Sequence, residues 1–79
     1  MSNAPSLFQP ITQKTLGFSG IIQNLAGDAK LIARLQELGF QCGEEVLFQG
    51  VAPFGDPVIL EVRGARLALR RREAACILV

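Results

Sequence analysis

Leu31, Ile32, Leu35 and Leu38 recur at the i, i+1, i+4, i+7 spacing of one helix face, which predicts an amphipathic helix over residues 29–38. Both of its ends have a local cause. Asp28 can accept a hydrogen bond from a free first-turn amide at the positive end of the helix dipole, and Gly39 can take the left-handed conformation that stops a helix. Burying the four apolar side chains would contribute about 6–12 kcal/mol as an upper estimate, so the helix is expected to pack on a sheet. Alone in water it is too short to hold.

Elsewhere the period shortens. Glycines at 17, 20, 27, 39, 43, 50, 55 and 64 cut the chain into pieces sized for strands. Residues 18–25 read as a first strand carrying Ile21, Ile22 and Leu25, with imperfect alternation, closed by turn residues at 26–28. Residues 45–50 form a second strand, with Val46 and Phe48 on one face and Glu45, Leu47 and Gln49 on the other. Pro53, Gly55, Asp56 and Pro57 make residues 52–57 a stiff loop, because proline fixes φ and removes an amide donor. Residues 58–63 and 66–70 read as a hairpin turned at Gly64 and Ala65, with Leu67 and Leu69 facing opposite to Arg66, Ala68 and Arg70. A short helical turn over 71–75 and a closing strand over 76–79 complete the chain. Closure of such strands would remove exposed edges, so the expected fold is mainly β: a small antiparallel barrel with one inserted helix and a short C-terminal helical turn.

Composition narrows this picture. At 79 residues, 49% hydrophobic and 19% charged, the chain holds one thin core and no deep cleft. Met1 to Ala4 fit an expression scar; the segment 1–10 is expected to be flexible and 11–79 to form the domain. A net charge of +1 exerts no global pull on nucleic acid or anionic lipid, and no apolar run is long enough to cross a bilayer. Cys42 and Cys76 lack a CxxC pairing and no secretory signal precedes them, so reduced thiols in the cytoplasm are expected.

Catalysis and cofactors find little support. The chain has no His, which removes the Ser/His/Asp and Cys/His nucleophile arrangements. Neither a phosphate-cradling GxxxxGK[ST] loop nor a GxGxxG fingerprint is present, and two thiols fall short of a structural zinc site. No cofactor and no metal ligand set is expected. Glu44 and Glu45 are adjacent, and on a strand they would point to opposite faces.

The one conspicuous charge feature is Arg63, Arg66, Arg70, Arg71 and Arg72, with no acid among them. Its plain reading is a solubilising face offset by Glu61 and Glu73; its functional reading is a docking ridge, since the planar guanidinium binds carboxylate or phosphate at two points and is weakly hydrated. Binding to nucleic acid would normally add exposed aromatics for stacking, and the Phe residues read as core, so no nucleic-acid partner is expected. A proline-rich peptide groove is disfavoured by the absence of Tyr and Trp.

Three blocks, in this order, resemble the FeoA family, the small cytoplasmic partner of the bacterial ferrous iron transporter FeoB: Arg34, Leu35, Glu37, Leu38 and Gly39; Ala52 to Pro57, reading APFGDP; and Leu67 to Arg71 followed by Glu73 and Ala74. Cys42 departs from the pattern, where the family commonly carries Pro. The resemblance implies an SH3-like barrel with an inserted helix, no catalysis of its own, and support of Fe(II) uptake by binding the GTPase region of FeoB, with membrane contact only through that partner. Arg34, Phe54, Arg66, Arg70 and Arg71 are the candidate contact residues. Rival readings are a regulatory module related to iron-dependent repressors, weakened by the lack of a DNA-reading helix, and a nucleic-acid-binding small barrel.

Overall fold

Two antiparallel sheets and one long helix enclose the core in the computed structural model, which describes residues 7–79. The chain makes a 3-10 turn (Ile11–Gln13), then β1 (Ser19–Ile21), β2 (Asn24–Leu25), α1 (Ala29–Leu38), β3 (Glu45–Val51), β4 (Val58–Val62), β5 (Ala65–Leu69), α2 (Arg71–Ala74) and β6 (Ile77–Leu78). The larger sheet has the order β1-β3-β4-β5, and β2 pairs with β6 in the smaller one. The flexible segment expected over 1–10 lies, for residues 1–6, outside the described residues. Gln9 exchanges both backbone hydrogen bonds with Val79, at 3.0 and 2.9 Å.

The helix has the expected ends. Asp28 Oδ1 accepts from the Leu31 amide at 2.8 Å, and Gly39 stops the helix at φ 110°. Its apolar stripe is less deeply covered than the pattern suggests: Leu35 is buried, whereas Leu31, Ile32 and Leu38 are half-buried against the core margin. The chain then turns Phe40 fully into the core.

The strand expected over 18–25 is divided between the two sheets. Ser19 and Ile21 pair with Leu47 and Glu45, and the Ile22 amide still donates to Glu44 O at 2.8 Å. From Gln23 the partner changes, its amide donating to Leu78 O at 2.8 Å, and Leu25 pairs with Ile77. The reason lies in parity. Ile22 and Leu25 are both buried, yet residues three apart on a straight strand face opposite ways, so the backbone bends between them and delivers both to one core.

The hairpin turn also sits one residue earlier than expected. Arg63 (φ 53°) and Gly64 (φ 80°) are its central pair, and Val62 pairs with Ala65. Two positive φ values in a two-residue loop match the right-handed twist of the flanking strands, and an exposed Arg side chain tolerates this geometry at a cost of about 1–2 kcal/mol. Val58, Leu60 and Val62 of β4 and Val46 and Phe48 of β3 face inward, with Ile11 from the 3-10 turn, where no element was expected. Among the described residues the ladders form two sheets and not one continuous ring; β5 is the last strand of the larger sheet.

Candidate docking surface

The stiff loop is built as its residues dictate and is then locked from outside. Within it the Ala52 amide donates to Pro57 O at 2.9 Å and the Gly55 amide to Ala52 O at 2.8 Å, with Gly55 at φ 88°. The lock is Arg71. Its backbone N–H donates to Asp56 Oδ1 at 2.8 Å, which satisfies a free amide at the start of α2. Its side chain donates through Nε to Gly55 O at 2.8 Å and through one terminal nitrogen to Thr12 O at 3.5 Å. One half-buried guanidinium thus joins loop, 3-10 turn and α2. Phe54, at the tip of the loop so held, is 99% exposed.

A second tie lies alongside. Glu73 Oε1 accepts from the Arg70 amide at 3.1 Å, and Oε2 pairs with Arg34 of α1 at 3.1 Å. The Arg34 side chain remains 62% exposed, so the pair adds little stability but fixes where the guanidinium stands.

The five arginines therefore do not form one ridge. Arg71 faces inward to backbone carbonyls, and Arg63, in the hairpin turn, lies 3.8 Å from Glu44. Arg66, Arg70 and Arg72 are exposed, and among the described residues none of their guanidiniums has an acidic partner. Arg66 and Arg70 stand on the outer side of β5 and its continuation, as alternation required. The reading of the Phe residues as core holds for Phe40 and Phe48; Phe54 and Phe8 are exposed instead.

The acids also gather differently from expectation. Glu44 and Glu45 line a single open hollow of about 410 Å³ with Ser19, Leu47, Glu61 and Arg63. Glu44 precedes β3 and belongs to a turn in which its amide donates to Gln41 O at 3.0 Å, so strand alternation does not apply to it. Each carboxylate there has a partner: Ser19 Oγ donates to Glu45 at 2.7 Å, Gln49 Nε2 to Glu61 at 3.2 Å, and Arg63 faces Glu44. No cluster of three or more Cys, Asp or Glu among the described residues could hold a metal ion. Thr12 and Gly55 enter the site only through their carbonyls, which no side-chain pattern announces. Both cysteines are free, and Cys76 Sγ donates to Arg72 O at 3.6 Å. No helix among the described residues is long and apolar enough to cross a membrane.

A model of the FeoA domain matches residues 10–79. The chain is 27% identical to the solution structure of a FeoA-like protein from Clostridium acetobutylicum, covering 94% of this chain and 86% of that one at a TM-score of 0.83. It is 29% identical to FeoA of Stenotrophomonas maltophilia in complex with zinc, covering 91% and 87% at 0.73; that protein is described as a prokaryotic SH3 domain protein and a candidate ferrous iron transport activating factor. A manganese-dependent transcriptional repressor matches at a TM-score of 0.84 but 14% identity, over 96% of this chain and 37% of that one, a likeness of fold alone. No curated protein sequence matches the chain significantly.

Proposed function

The chain belongs to the FeoA family, whose SH3-like fold it shares and which is associated with ferrous iron transport, and we propose that it is a cytoplasmic accessory protein that binds the GTPase region of a FeoB-type transporter. Arg66, Arg70 and Phe54 make the contact, Arg34 flanks it, and Arg71 holds the loop that presents Phe54. The same reading takes the two sheets as an SH3-like barrel whose ring is completed by side-chain packing. The observation that carries the proposal is the pairing of unneutralised guanidiniums with a fully exposed aromatic on a rigid loop. Arginine and aromatic side chains are the residue types that dominate protein interfaces, and a locked loop loses little entropy on docking. The three carboxylates of the hollow, Glu44, Glu45 and Glu61, already have partners within the fold, whereas the guanidiniums of Arg66 and Arg70 have none, which favours docking through the arginines.

The test is a titration against the cytoplasmic region of a FeoB-type transporter, with and without guanine nucleotide. Saturable binding that weakens as salt is added is expected. Absence of binding in every nucleotide state would remove the proposal.

A further inference from the structure

The larger sheet ends at β5, so one side of that strand carries no ladder. The hairpin determines which backbone groups are left. In a two-residue hairpin the closing pair, here Val62 and Ala65, exchanges hydrogen bonds, and every second pair beyond it does the same. Ala65, Leu67 and Leu69 therefore turn their N–H and C=O groups toward β4. Arg66 and Ala68 turn theirs away, and no described residue takes them. The side chains of these two residues are exposed, and Arg70 continues their row.

We propose that this edge receives an extended acidic segment of a partner protein, added to the sheet beside β5, with Arg66 and Arg70 pairing its carboxylates. The inference rests on the docking reading above and specifies how docking occurs. Charge selects the occupant. A strand with acids at alternate positions meets Arg66 and Arg70, which have no acidic partner of their own, while its backbone takes the outward groups of Arg66 and Ala68. A second copy of this chain is disfavoured by the same residues: two β5 edges paired antiparallel about Ala68 place Arg66 of each opposite Arg70 of the other. At the far end of the strand the Val58–Leu69 pairing and the Asp56–Arg71 bond bring the 52–57 loop alongside, and Phe54 supplies an apolar anchor there.

Amide exchange of the full chain tests this, with three probes: the cytoplasmic region of a FeoB-type transporter, a hexapeptide alternating Glu with Thr, and the same peptide with Lys for Glu. Exchange at Arg66 and Ala68 should slow on adding the transporter region or the acidic peptide, but not the basic one. Ala68→Pro removes an outward N–H without touching the β4 ladder and should weaken binding about tenfold, the scale of one or two lost hydrogen bonds. Arg66→Gln with Arg70→Gln, which removes both charges at exposed positions without setting a carboxylate opposite Glu61, should weaken it comparably and serves if the proline variant does not fold. Equal binding of the basic peptide would overturn the acidic assignment. Tight transporter binding with Arg66 and Ala68 amides unprotected and both variants unaffected would overturn strand addition and leave the docking reading in place. Edge protection by the acidic peptide without any transporter binding would uphold the edge and remove the transporter.

Discussion

Arg71 and Arg66 lie five residues apart in the same basic stretch and do opposite work. Arg71 meets two backbone carbonyls and becomes part of the scaffold, whereas Arg66 meets solvent and keeps its charge for something else. The difference comes from the surroundings, since the side chains are identical. A proline-stiffened loop holds its carbonyls at a fixed place, and a guanidinium that satisfies them is worth more inside than outside. Arg66 stands opposite Glu61, whose carboxylate already accepts from Gln49, and no acid of the described residues lies within ion-pair distance of its guanidinium, so the charge remains available for a partner. Residue type named both as contact candidates; only Arg66 keeps a guanidinium with no partner among the described residues.

Substitutions can break this contrast in order of severity. Arg71→Ala should do most, costing about 2–3 kcal/mol in urea unfolding, because two charge-assisted bonds to carbonyls are lost from a half-buried site. Any loss of partner binding in that variant should track loosening of the 52–57 loop. Asp56→Ala removes only the acceptor for the first amide of α2 and should cost about 1 kcal/mol, read from the same unfolding midpoint. Arg34→Ala breaks an exposed ion pair and should shift stability by about 0.5 kcal/mol or less, with a loss that shrinks further in high salt. Phe54→Ala, at a fully exposed tip, should leave the unfolding midpoint where it was while weakening partner binding, which separates presentation from scaffold. A Phe54→Ala protein that unfolds earlier would show that the loop tip belongs to the scaffold after all.

Helix α1 was legible residue by residue, because its cap, stripe and stop are all local: Asp28, Leu35 and Gly39 act within a few residues of one another. The alternation of Val46 and Phe48, and of Leu67 and Leu69, was legible for the same reason. What escaped was non-local. The split of residues 18–25 depends on Glu44 and Leu78, and the burial of Ile11 depends on a core that only the whole chain assembles. The turn falls at Arg63 and Gly64, one residue before the Gly64–Ala65 pair the sequence suggests, because strand register and not the dipeptide itself sets a non-glycine at positive φ there.

By itself, then, the order of residues determined the helix, the faces of β3 and β5, the stiff APFGDP loop and the membership of a family, since each rests on short-range chemistry or on a linear motif. Tertiary structure alone decided which arginine is consumed by the scaffold, which acids are neutralised and which strand is left at an edge. Those outcomes depend on distances between segments far apart in the chain, and a hydrogen bond exists only where folding has put its acceptor.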